Sequence, residues 1–284
     1  MTILGHTLRI KGDRNSAADL LDCAFVVEAN LDDLSLRALT FRTGAYLLSD
    51  LGHLDDAGWF AEQATALCRQ LQDQLGIGRS LYIEGLVLRR QGNDVEALGR
   101  FRESLKQLSD TLTTSPFSVA VRFVLIRTQL EQGRVDGLED ELAALEKSVP
   151  PESAGYTNLL ILSAELASQC GDHTKADQLF DQAENHLATC LEEKRACLDD
   201  LAILRLRQIL HLTRTARHEI AVQKCRQLYA LADQFSEYPH AEAALLEVAR
   251  HALGGGLTLS LVSAYVRTVE DREFLKPGSI AIRK

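Results

Sequence analysis

The side chains that most often carry chemistry are present in this sequence but scattered. It holds eight histidines and six cysteines. A catalyst needs a nucleophile, an acid–base pair or a metal cluster gathered at one site. No HExxH, GxSxG, GxxxxGKS/T or paired CxxC pattern occurs. His211 and His218 flank one predicted turn, and His240 and His251 share one predicted helix. Neither spacing puts two imidazoles on adjacent turns of a helix, where a metal could bridge them. The pairs Asp32-Asp33, Asp55-Asp56 and Asp199-Asp200 stand near predicted helix starts, where a carboxylate is favoured by the helix dipole. Gly254-Gly255-Gly256 follows no predicted strand, so it is an inter-helix turn and not a dinucleotide loop. The expectation is a protein with no catalytic residues, no metal and no cofactor.

Composition narrows the class further. The net charge of −9 makes the whole molecule a poor electrostatic match for nucleic acid or an anionic membrane. Leu and Ala dominate and there are five prolines in 284 residues, which favours an all-helical fold. No apolar run is long enough for a transmembrane helix. Arg9 and Lys11 follow the N-terminal apolar residues, the reverse of a secretory signal. Cys23, Cys68, Cys170, Cys190, Cys197 and Cys225 read as reduced, core-filling thiols, and the expected location is cytoplasmic.

The elements that must position any site are set by one recurring turn. Leu51-Gly52-His53-Leu54-Asp55-Asp56-Ala57 has a glycine to end one helix and Asp to begin the next. The device returns at Gly12, Gly92, Gly133 and Gly171, without glycine at Ala216, and in poorer form at 254–256. The interval is about 40 residues, a repeat architecture. Five residues after the turns stand Ala17, Ala57, Ala97, Leu138, Ala176 and Ala221. Offsets of nine and twelve give Ala61, Phe101, Leu142, Phe180 and Ala64, Ser104, Leu145, Ala183 on the same helix stripe. Seven residues before the turns stand Gly5, Ala45, Gly85, Ile126, Ala164 and Ile209, where small residues let paired helices approach. First helices are predicted over 2–11, 34–50, 77–91, 117–132, 155–170, 197–214 and 239–253. Second helices are predicted over 14–30, 54–75, 94–112, 135–147, 173–193, 217–236 and 257–268.

These offsets resemble the tetratricopeptide repeat (TPR), in a long-period form similar to kinesin light chains and to bacterial TPR regulators. The resemblance implies an all-α, right-handed α-solenoid of six to seven helical hairpins. Its repeats would cover 1–31, 34–75, 77–112, 117–152, 155–193 and 197–236, with a degenerate one at 239–268 and an irregular tail at 269–284. In that family the first helices line the inner groove. Family groove positions map onto Arg42 and Tyr46, onto Tyr82, Arg89 and Arg90, and onto Phe123 and Arg127. Taken together the first helices are net basic in an acidic molecule, a field suited to an acidic ligand. Arg binds a carboxylate through two parallel hydrogen bonds, and Tyr and Arg are frequent interface anchors. The Lys/Asn carboxylate clamp of chaperone-binding relatives is not matched, since Arg42 and Tyr46 stand in its place.

The functional expectation is a non-enzymatic scaffold that binds a protein or peptide with an acidic segment, and neither nucleic acid nor membrane. The alternative is the ligand- or peptide-sensing part of a bacterial regulator whose output domain lies elsewhere. The short first helix fits a truncated cap or a fragment of a longer product. Two long connections, 109–118 and 148–155, are candidate hinges or contact loops. Trp59, beside Phe60, either packs on the neighbouring repeat or faces outward as a partner or self-association patch. The apolar segment Leu257 to Val266 either caps the solenoid or docks on another chain as a homo-oligomer.

Overall fold

The computed structural model describes residues 14–28, 33–109, 115–193 and 198–231, and every regular element among them is an α-helix. The expected helices 2–11, 239–253 and 257–268, the Gly12 and Gly254 turns and the tail lie outside the described residues. The chain forms two compact units, Met1–Thr128 and Gln129–Lys284.

Unit 1 contains α1 (Arg14–Glu28), α2 (Leu34–Leu51), α3 (Leu54–Gln70), α4 (Gln74–Arg90), α5 (Asp94–Ser109) and most of α6 (Pro116–Glu131). Helices α2 and α3 form one hairpin and α4 and α5 the next. Unit 2 contains α7 (Leu138–Glu146), α8 (Ala154–Gln169), α9 (His173–Glu192), α10 (Leu198–Arg214) and α11 (His218–Leu231). Here α8 pairs with α9, α10 pairs with α11, and α7 rests on α8.

Each of the recurring turns is closed by the same small set of hydrogen bonds. Gly52, at φ 87°, lets His53 N–H reach back to Leu48 C=O at 2.9 Å. The equivalent bonds run from Asn93 to Leu88, Arg134 to Gln129, Asp172 to Ala167 and Arg217 to Leu212, all at 2.9 Å. This six-residue closure satisfies carbonyls that the helix end leaves open, and it requires a left-handed residue. Gly92, Gly133 and Gly171 supply it at φ 82°, 68° and 84°. Ala216 adopts it at φ 56° despite its Cβ.

Two helix boundaries differ from the sequence expectation. The second helix predicted to reach residue 75 ends at Gln70, because Gln72 turns left-handed at φ 56° and Asp73 accepts the Gly76 N–H at 2.9 Å to start α4 early. Helix α7 begins at Leu138 and not at 135, because Gly137 at its N-cap is left-handed at φ 75°.

The packing stripes lie inside. Ala57, Ala97, Leu138, Ala176 and Ala221 are fully buried, as are Ala61, Phe101, Ala64, Ser104 and Ala183. The small residue at Gly85 has a direct reason: a Cβ there would lie 2.4 Å from the Phe101 ring of the paired helix. Where Ile126 and Ile209 replace the small residue they are buried too.

Candidate interaction surfaces

The seven residues marked by the sequence all belong to unit 1. Arg42 and Tyr46 are on α2, Tyr82, Arg89 and Arg90 on α4, Phe123 and Arg127 on α6. The Tyr82 hydroxyl is pushed well up by burial, with Tyr46 raising it further and Arg89 and Arg127 opposing. Those four residues therefore share one electrostatic neighbourhood. Burial pulls the Arg42 guanidinium down, while Tyr46 beside it works the other way. Arg90 donates to Ser49 Oγ at 2.6 Å and so ties α4 to α2.

Their exposure divides them. Arg42, Tyr46 and Arg90 are half-buried. Tyr82, Arg89, Phe123 and Arg127 are buried, Arg127 completely. Tyr82 packs against Phe101 and Phe117 at ring distances of 5.9 and 5.2 Å. A buried side chain cannot make the first contact with a partner, so only three of the seven can offer an accessible edge.

A second feature of unit 1 was not marked as a site. Helix α2 touches α4, but the second helices α3 and α5 are bridged by α4 and leave a pocket of about 600 Å3 between them. Its wall from α3 carries Asp55, Gly58, Trp59 and Glu62. Its wall from α5 carries Glu96, Gly99, Arg100 and Glu103, and α4 contributes Glu84, Val87 and Leu88. Trp59 is 51% exposed, and its ring is set edge-on against Phe41 and Phe60 at 5.7 and 5.3 Å. Trp59 thus packs on Phe41 and Phe60 of its own repeat, not on the neighbouring one, and keeps an open face.

The pocket's charges are ordered. Glu84 is buried and its carboxyl is pushed up by desolvation, against a hydrogen bond from Thr65 at 2.5 Å and the charge of Arg100. Arg100 pairs with Glu84 at 3.0 Å and with Glu103 at 3.2 Å. Glu103 also receives Arg69 at 3.2 Å. Gln91 donates to Asp55 at 3.2 Å.

In unit 2 the first helices carry charge in internal pairs. Arg207 donates to Glu165 at 2.8 Å and to Glu131 at 3.2 Å, all three side chains nearly enclosed. Arg205 grips Glu184 through both guanidinium nitrogens at 2.6 Å, with Gln208 and Lys224 adding to the same carboxylate. The Arg205 hydrogen bonds dominate in taking Glu184 down to about 2.

His211 is buried between Ser168 and Arg217, and burial holds its imidazole below the usual range. Arg217 Nη2 donates to His211 Nε2 at 2.6 Å, which fixes the neutral tautomer with Nδ1–H facing Ser168 Oγ. Asp177 at 3.1 Å then serves Arg217, not the imidazole, and the arginine outweighs burial to hold that carboxyl low.

The sequence missed the pocket and these pairs for one reason. Each joins residues from three helices whose spacing is set by packing. Asp55 was legible as a residue of a helix first turn, which it is, yet it also faces the pocket. Gly58 and Gly99, one on each facing helix, were the available signal. The Gly99 position has no heavy atom within 4 Å of a Cβ built there, so packing does not require glycine.

No protein-family model and no curated protein matches the sequence. In fold the chain is similar to two solved structures of a Podosopora anserina protein assigned as a kinesin light chain with nearly identical TPR-like repeats. One, a point variant, has a TM-score of 0.57 at 18% identity, covering 67% of this chain and 94% of that one. The other has a TM-score of 0.56 at 18% identity, covering 66% and 93%. The chain therefore has the fold of TPR-like helical repeats. No helix among the described residues is long and apolar enough to cross a membrane.

Proposed function

We propose that this TPR-like repeat chain is a non-enzymatic scaffold that holds an acidic peptide or protein segment against the first helices of unit 1. The observation that carries the reading is that Arg42, Tyr46 and Arg90 are half-buried on α2 and α4, which Arg90 ties together through Ser49, with the buried Arg89 and Arg127 acting electrostatically on the neighbouring Tyr82. Arg42, Tyr46 and Arg90 are the contact residues. The buried Tyr82, Phe123, Arg89 and Arg127 form the floor and supply positive field from beneath. A guanidinium in a partly dry site attracts a carboxylate far more than one in open water does. A rigid stack of hairpins presents that field without ordering cost at the moment of binding.

The test is binding of an alternating Glu-Ala peptide by fluorescence anisotropy, with wild type beside Arg42→Gln and Arg90→Gln. Each neutralisation should weaken binding about tenfold, and binding should fall as salt rises. Equal affinity for wild type and both variants would overturn the reading. Arg42 and Arg90 serve better than Arg89 or Arg127, whose substitution would first disturb the fold.

A further inference from the structure

We propose that the pocket between α3 and α5 is a second docking site, of opposite charge preference, for an arginine-bearing basic segment of a protein partner. Three independent features define it. The cavity, about 600 Å3, lies within the range that encloses a ligand or a short stretch of chain. Trp59 keeps about half of its surface open at the wall, in a fixed orientation set by Phe41 and Phe60. The lining holds five carboxylates, Asp55, Glu62, Glu84, Glu96 and Glu103, against the single cation Arg100.

The charge balance decides the ligand class. Arg100 is already engaged by Glu84 and Glu103, so it is in place to hold the wall and not to receive an anion. Glu62 and Glu96 are exposed and face the pocket, as does Asp55, which also accepts from Gln91. A metal ion is the wrong match, because no group of three or more His, Cys, Asp or Glu among the described residues converges as ligands would. An apolar ligand would strand the carboxylates without solvent. A guanidinium fits both parts of the wall. Its plane stacks on an indole, and its N–H fork matches a carboxylate. Carboxylates on both walls, α3 and α5, call for more than one cationic group, which a basic chain segment supplies and a monocationic amine does not. Gly58 and Gly99 keep the two helices low enough to admit a chain.

The experiment uses the full chain. The sequence has a single tryptophan, so emission excited at wavelengths that tyrosine does not absorb reports from Trp59 alone. Titrating an alternating Arg-Ala peptide should give a saturable emission change. Glu62→Gln/Glu96→Gln should weaken it about tenfold, because charge-assisted contacts to exposed carboxylates are lost. Gly99→Leu should block it by filling the wall. Glu139→Gln/Glu141→Gln removes as much charge from exposed positions on α7 and should change nothing. Arg90→Gln, which tests the acidic-segment reading, should also leave it intact, so either proposal can fail alone. Equal loss in the α7 variant would reduce the effect to net charge and overturn the site. Absence of any Trp59 response would overturn it too. If spermidine saturates Trp59 as tightly as the peptide, the occupant is a small amine and the protein-segment assignment falls. If emission changes with the chain's own concentration instead, the occupant is a second copy.

Discussion

Helix α4 serves two surfaces of unit 1 that treat charge in opposite ways. On one side it contributes Tyr82, Arg89 and Arg90 to a positive, largely enclosed cluster. On the other it contributes Glu84 to a pocket where three of the other four acids, Asp55, Glu62 and Glu96, stand in water. Enclosed charge is strongly coupled to the fold, because removing or reversing it leaves desolvated neighbours. Exposed charge is nearly neutral for the fold and free to act in recognition. The contrast separates residues that shape a surface from residues that meet a partner, even where both are arginines or glutamates.

The largest effect should come from reversing an enclosed charge. Arg127→Glu should cost about 3–5 kcal/mol of stability, since it places an anion where a fully buried cation sits. Denaturant unfolding with hydrogen exchange resolved to α4 and α6 measures it. A cost under about 1 kcal/mol, the range of exposed pairs, would erase the distinction between the two surfaces.

Next comes the packing that both surfaces share. Gly85→Val should cost about 3 kcal/mol, because the added atoms collide with the Phe101 ring. Peptide binding of both signs should weaken together at temperatures near unfolding. Loss of one sign alone would mean that α4 does not couple the surfaces.

A smaller effect separates carboxylates by pH. Glu184 sits at about 2 when folded, below an ordinary 4.5, so its stabilisation is present above pH 4.5 and is lost as pH falls toward 2. Glu184→Gln should remove about 1–2 kcal/mol at neutral pH, a modest figure because the pair is partly exposed to solvent. Glu84 runs the other way: its folded value is raised, so unit 1 gains stability as pH falls through that value toward 4.5. Glu84→Gln should flatten that rise in thermal melts between neutral and mildly acid pH. A variant that melts with the wild-type pH profile would show that burial of this carboxyl has no energetic consequence.

The smallest effect is the sharpest for function. Glu62→Gln should leave stability within about 0.5 kcal/mol while weakening the basic peptide. A destabilisation of several kcal/mol would move Glu62 from the contacting to the supporting class.

The turns could be read from sequence because their geometry needs a rare backbone state. Gly52, Gly92, Gly133 and Gly171 announce it by residue type, and Ala216 by its place in the interval. Small residues at fixed offsets marked the packing stripe, since helix separation limits side-chain size there. Gln72 gave no such sign, and the end of α3 was placed too late. Exposure was the harder quantity. Repeat register placed Arg89 and Arg127 on first helices, but register cannot say how deeply a position on that face is covered. The pocket was illegible for a related reason: its depth depends on how far apart α3 and α5 are held by a third helix.

Ala216 carries one more consequence. Of the six such closures among the described residues, four use glycine, which enters the left-handed state without strain, while Gln72 and Ala216, both at φ 56°, are each held there at a cost of about 1 kcal/mol. The α10–α11 pair is thus fastened by a spring under tension. Under pulling force or digestion its clasp should release before its glycine counterparts, and Ala216→Gly would slacken that spring.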